Sequence, residues 1–476
     1  MTTRRWLIMR RRNSRRVLVS ALVGSMIGST LVVSLTVSSV GQASALSASS
    51  WTVYHGDVAG TGVSTALKSV DTSKRAWTSP MLKGQIFGEP LVYSGRVYVA
   101  TENDVVYALS STNGRVVWSR HVGSAVPSSK LPCGNIAPSV GITGTPVIDP
   151  SRNEIFVVAD VLVNGSPEHE LLGLSTTSGA LEIKQSVDPR GADPAALLQR
   201  TGLSLDAGHV VFAMGGNYGD CASYRGRVVS LKETGSTPTF FTVDANGGDS
   251  QGAVWMGGAA PVVDAKGNIW VSVGNGSVQS SGQAYDDSDS VLELSATLRL
   301  KQYFAPSTWA QDNASDHDMS TAPALLSNGQ VVVAGKSPTV YLLNAAHLGG
   351  IGNEEVSLSG VCGNDTDGGS AVVGTTVYLP CLSGPVALRV TTSPPALEVL
   401  WQSSVGGGPV IVAAGKVWTI GQNGVLYGLD ASTGQVRQQA SIGVPANHFP
   451  TPSVGDGLLL AASANRVVAF HASVVP

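Results

Sequence analysis

Asp316-His317-Asp318 is the segment whose residue types most invite chemistry. Two carboxylates one residue apart bind a cation between them or perturb each other's ionisation. Lys336, in Ala334-Gly335-Lys336-Ser337, is a cation at the end of a strand-like run. Asn275 sits between Gly274 and Gly276. That tripeptide closes a hairpin readily, because Asn tolerates left-handed backbone. Asp365-Thr366-Asp367-Gly368 and Asp244-Ala245-Asn246-Gly247 are spaced like short calcium-binding loops. Neither has the terminal Glu of a complete loop, so hairpin turns are the expectation. No Ser or Cys nucleophile is paired with His317, and Gly-x-Ser-x-Gly and P-loop patterns are absent. Hydrolase and nucleotide-binding chemistry therefore lack support.

The elements that must hold these residues repeat along the chain. One copy runs Gly88-Glu89-Pro90-Leu91-Val92-Tyr93, Gly95-Arg96-Val97-Tyr98-Val99-Ala100, Asp104-Val105-Val106-Tyr107-Ala108-Leu109, Thr112-Asn113-Gly114 and Trp118; another occupies 408–437. Each has three short apolar runs rich in Val, Tyr and Leu between Gly, Asn or Asp turns, which predicts strands joined by hairpins. A fourth short strand follows the Thr-x-Gly turn. The second strand of each copy is marked by Val97, Ile155, Val210, Ile269, Val331, Val377, Val417 and Leu458. Four strands per roughly 40–50 residues is the period of a β-propeller blade, the longer early spacings being accounted for by inserted loops. The expected fold is all-β, a single eight-bladed propeller over residues 46–476. The last copy, Thr451–Phe470, supplies three strands, and Lys74-Arg75-Ala76-Trp77-Thr78 is expected to supply its fourth. Closing the ring with strands from both ends removes its exposed edges.

Composition agrees with this pattern. Of 476 residues 56 are Gly, 43% are apolar and 13% charged, which excludes a disordered chain and disfavours a helical one. The net charge of −3 hides an asymmetry. Residues 1–45 hold seven Arg and no Asp or Glu, which leaves 23 basic and 33 acidic side chains in the remainder, net −10. A nucleic-acid partner is not expected of so acidic a body. The Arg-rich start, the apolar run Val17–Val40 and Ala43-Ser44-Ala45 form the three-part layout of an export signal. Ser14-Arg15-Arg16-Val17-Leu18 also resembles a twin-arginine signal. Val17–Val40 is long enough to span a bilayer if left uncleaved. The four Cys (133, 221, 362 and 381) lie in the expected exported part, where disulfides persist. Three pairings are open to them. Cys362–Cys381 with Cys133–Cys221 is preferred, since each pair then joins loops of nearby repeats. No C-x-x-C-H haem motif or paired C-x-x-C zinc set is present.

The unit with Val-Tyr-Ala-Leu, Thr-x-Gly and Trp is similar to the pyrroloquinoline quinone (PQQ) propeller repeat. That family includes quinoprotein alcohol dehydrogenases and also non-catalytic propellers such as the bacterial outer-membrane assembly scaffold. Trp51-Thr52-Val53-Tyr54-His55-Gly56-Asp57 looks like the start of the mature dehydrogenases, and the resemblance extends over 51–470. Cys221-Ala222-Ser223-Tyr224-Arg225-Gly226 and the stretch from Ala345 to Gly352 resemble a secreted actinobacterial subgroup.

The resemblance implies roles for particular residues. Val273-Gly274-Asn275-Gly276-Ser277 is similar to the dehydrogenase turn whose Asn binds a metal. Asp316-His317-Asp318, with Pro323 following, is similar to the segment in which the first Asp is the catalytic base and a second Asp serves lanthanide-type metals. Asp316 would then be catalytic, and Asn275, Asp316 and Asp318 would hold Ca²⁺ or a lanthanide. Lys336 corresponds to the lysine on the quinone carbonyls, Asn217 to a metal-binding Glu, and Trp255 lies near the stacking Trp, which falls at Gly258. Asn217 thus lacks the expected charge, the Cys-Cys pair that covers the quinone is absent, and Ser315 replaces the Trp before the base.

Two functions follow. In one, the funnel binds PQQ and a cation, oxidises an alcohol-type substrate, and passes electrons to a separate acceptor. In the other, the propeller is a non-catalytic extracellular scaffold for a protein or envelope polymer.

Overall fold

A computed structural model describes residues 50–475 apart from 245, 246, 364 and 448. The expected export segment, residues 1–45, lies outside the described residues.

Eight antiparallel sheets follow one another along the chain. Blade 1 is Leu91–Tyr93, Arg96–Thr101, Val105–Ser110 and Val116–His121, each strand paired to the next. Blades 2 to 7 begin at Val147, Ser204, Val262, Ala324, Ala371 and Ile411. Every marker residue from Val97 to Leu458 falls in the second strand of its blade. Burial orders the strands radially. Arg96–Thr101 and Val105–Ser110 are almost wholly buried, whereas Val116–His121 is mostly exposed and forms the outer rim.

Blade 8 combines the two ends of the described chain. Ser453–Gly455, Leu458–Ser463 and Arg466–Val474 are completed by Leu67–Thr78, with Trp77 opposite Ala469 and Thr78 opposite Val468. The ring is closed as the pattern predicts.

Neighbouring blades are joined by a repeated contact. The indole of Trp118, on the outer strand of blade 1, lies against Gly179 in blade 2 and donates to the Thr176 carbonyl at 2.9 Å. Trp401 does the same on Gly434, donating to Ala431 at 3.0 Å, and Trp77 on Gly114, donating to Ser111 at 2.8 Å. A flat indole needs a bare backbone to rest on, and these glycines have left-handed φ of 69–71°, which also favours Gly. The turn that carries this Gly thus seats the previous blade's Trp.

One segment crosses the ring. Backbone groups of Trp51, Thr52, Val58, Thr61 and Gly62 bond to Val92, Ile148, Val263, Val372 and Val412. Those partners are innermost strands of blades 1, 2, 4, 6 and 7. The Tyr54 hydroxyl accepts from the Gly369 amide at 3.0 Å, and the Tyr54 and His55 rings stack at 4.4 Å. Cys133–Cys221 and Cys362–Cys381 are both formed, the preferred pairing. No helix among the described residues is long and apolar enough to cross a membrane.

Candidate functional site

The segments that lead into the innermost strands converge at the ring axis and leave a cavity of about 690 Å³. Its wall takes Phe87 from the approach to blade 1, Arg200 from blade 3, Trp255 from blade 4, Asp318 from blade 5, Asp367 from blade 6 and Phe449 from blade 8.

Four residues singled out by sequence meet on one side of it. The helix Trp309–Ser315 ends at Asp316, whose left-handed backbone (φ 59°) turns the chain inward. The Lys336 ammonium then pairs with Asp316 Oδ1 at 2.9 Å and Asp318 Oδ2 at 2.5 Å. Asn275 donates its side-chain amide to Asp316 Oδ1 at 2.7 Å and its backbone N–H to Asp318 Oδ1 at 2.6 Å. The Asp318 carbonyl accepts from the Lys336 N–H at 2.9 Å, and a Cβ on Gly335 would strike that carbonyl, so only glycine permits this approach. Asp318 is buried at 2% exposure and Asp316 is open at 72%. Burial pulls the Lys336 pKa down, but the Asp318 and Asp316 carboxylates outweigh it and hold the ammonium well above its usual value.

The other candidates are placed differently. Asn217 donates its amide to the Ala195 carbonyl at 2.8 Å and is not among the cavity-lining residues. Trp255 lines the cavity with its indole N–H tied to the Gly216 carbonyl at 3.1 Å. His317 faces Asp312 at 3.5 Å and is half-exposed. Asp365 and Asp367, expected only as turn residues, both line the cavity. Burial, reinforced by Asp365, pushes the Asp367 carboxyl up to about 7.

The largest departure from sequence reasoning is Arg200. Its guanidinium fills the space into which a side chain at Gly258 would project. It lies 5.9 Å from the centre of the Phe87 ring and 5.4 Å from that of Phe449. Arg200 is 7% exposed, makes no ion pair with the described residues, and its Nη2 has no hydrogen-bond partner. The available signal was a charged residue inside the apolar run Ala195-Ala196-Leu197-Leu198-Gln199-Arg200-Thr201-Gly202-Leu203.

These residues do not fit the groups that the resemblance implies. The place of the aromatic floor is taken by a cation, so a planar quinone finds no ring to stack on there. The two carboxylates of a cation site are already bridged by Lys336, and Asn275 offers them N–H groups rather than an oxygen. Among the described residues no three His, Cys, Asp or Glu are grouped so as to hold a metal ion.

A family model described as outer membrane protein assembly factor BamB matches residues 36–270. No curated protein matches the chain. Among solved structures, the quinohemoprotein alcohol dehydrogenase of Comamonas testosteroni is similar over 89% of this chain and 80% of its own, with TM-score 0.66 and 16% identity. A europium-containing methanol dehydrogenase is similar over 89% of this chain and 98% of its own, with TM-score 0.66 and 13% identity. BamB from Moraxella catarrhalis is similar over 84% and 97%, with TM-score 0.53 and 14% identity. At such identities the likeness establishes the fold alone. Taken with the eight repeats and their Trp-on-Gly joints, these matches show that the chain has the fold of the PQQ-repeat β-propellers.

Proposed function

We propose that this chain is an extracytoplasmic binding propeller whose axial funnel takes a small polar molecule and carries out no quinone-dependent oxidation. The observation that carries this reading is Arg200 against Gly258, a buried cation where stacking would need an aromatic ring. The formed disulfides and the Arg-rich residues 1–45 support a location outside the cytoplasm.

A second reading, a PQQ- and cation-dependent alcohol dehydrogenase, is favoured by a different observation. Asn275, Asp316, Asp318 and Lys336 do converge, and the buried Asn275 Oδ1 has no hydrogen-bond partner. The two readings part in a dye-reduction assay on residues 46–476 supplied with PQQ and Ca²⁺ or La³⁺. The binding reading expects no alcohol-dependent reduction with either metal. Reduction that disappears in Asp316→Ala would establish the dehydrogenase instead.

A further inference from the structure

Arg200 raises a question that the ring alone does not answer. Moving an ion out of water costs several kcal/mol unless a partner of opposite charge meets it. Arg200 is 7% exposed and makes no ion pair among the described residues. Glu102, Tyr54 and Asp367 are near enough to favour its charge, but none bonds to it, and burial lowers its pKa overall. The guanidinium carries five N–H donors in a fixed fork and stays charged in proteins. Phe87 and Phe449 cover the cation without accepting its N–H groups in the plane of the fork. A guanidinium with an unpartnered Nη2, lining a cavity, is complementary to a carboxylate, which accepts N–H bonds from such a fork.

The rest of the cavity narrows the ligand further. Asp316, Asp365 and Asp367 line it as well, and Asp367 is buried. Lys336 is already engaged by Asp316 and Asp318. A ligand that was anionic throughout would meet like charges at these carboxylates. One that ends in hydroxyl or ammonium groups would donate hydrogen bonds to them.

We infer that the funnel binds a small carboxylic acid carrying hydroxyl or ammonium groups, with its carboxylate on Arg200 and its donor end toward Asp365 and Asp367. This rests on the binding reading above and names its ligand class. The proposal involves no bond making or breaking.

The test uses residues 46–476 with gluconate, lactate and serine as probes. Sorbitol and glycerol serve as uncharged counterparts, inorganic phosphate as a competing anion, and PQQ with Ca²⁺ as the quinone arm. Calorimetric titration should find at least one carboxylate binding tenfold or more tightly than its uncharged counterpart and than phosphate. Arg200→Met should weaken that binding at least tenfold, and Arg200→Lys, which keeps the charge but not the fork, should restore only part of it. Without ligand, Arg200→Met should unfold at the same or a higher temperature than the unsubstituted chain, since it relieves an unpaired buried charge. Equal binding of carboxylates to Arg200→Met, a marked loss of its ligand-free stability, or no carboxylate binding would each overturn the inference. If sorbitol or glycerol binds and no carboxylate does, the ligand class fails while the binding reading stands. If PQQ alone binds, both fail.

Discussion

The Arg200 guanidinium occupies the volume above Gly258, so the two positions are coupled: a side chain at 258 and the present course of Arg200 exclude each other. Gly258 also has a left-handed φ of 89°, which any L side chain would strain. The centre of this propeller is therefore built around a cation.

The ion triad at the cavity wall is expected to be structural. Lys336→Met would leave Asp318, at 2% exposure, as a buried carboxylate without its cation. Losing one partner of such a pair costs about 3–5 kcal/mol. Asp318→Asn in the same chain should recover most of that loss, because the stranded charge goes too. Urea denaturation of the two single variants and the double variant reads this directly. Additive losses would show that the two side chains do not support each other.

Between blades 1 and 2 lies a buried acidic group that predicts a pH dependence. Asp104 is fully buried and neither carboxylate oxygen has a hydrogen-bond partner. Burial first, then the charges of Asp160, Glu102 and Glu170, push its pKa from 3.8 up to about 9. Burial likewise raises Glu102 from 4.5 to about 7. His169, held by Asp160 at 3.1 Å and Asp188 at 2.7 Å, is lowered by burial but pushed up by these carboxylates to about 10. All three folded values exceed the unfolded ones. Their stabilisation is therefore complete below the unfolded values and is lost as pH rises through the folded ones. Urea midpoints should fall steadily from pH 5 to pH 9. Asp104→Asn, which imitates the neutral carboxyl, should be nearly silent below pH 4 and increasingly stabilising as the pH rises toward 9. A midpoint that rises over this range would contradict the assignment.

The Trp-on-Gly joints can be tested against a matched control. A Cβ on Gly179 would stand 2.6 Å from the Trp118 ring, at a left-handed φ of 71°. Gly179→Ala should cost about 2–4 kcal/mol, combining backbone strain with overpacking. Gly191 has a similar φ of 80° but open space around it, so Gly191→Ala should cost only about 1 kcal/mol of strain. Equal losses at the two sites, measured by thermal unfolding, would mean that the indole contributes nothing to the joint.

Much of this was legible in the sequence because a propeller is built from local pairings. Val97 and its seven counterparts each fall in a second strand, since alternating apolar runs and hairpin turns specify neighbours within about twenty residues. Trp77 could be assigned to blade 8 because the repeat lacked one strand and one Trp. The centre was less legible, because it is assembled from segments far apart in the chain. Asp365 and Asp367 read as turn residues, but they flank Thr366, which bridges Cys381, and both line the axial cavity. Asn217 matched a motif position, but its amide is engaged by Ala195, twenty-two residues earlier. Arg200 matched no motif, and only its apolar neighbours marked it as unusual.

What the funnel accepts is read by titrating PQQ into the unsubstituted chain and Arg200→Met. Each is titrated in the presence of Ca²⁺ and then La³⁺, and binding is followed by the quinone absorbance. No saturable binding to the unsubstituted chain is expected at micromolar PQQ with either ion. Tight, metal-dependent binding to the unsubstituted chain, weakened by Asp318→Asn or Lys336→Met in folded protein, would contradict it.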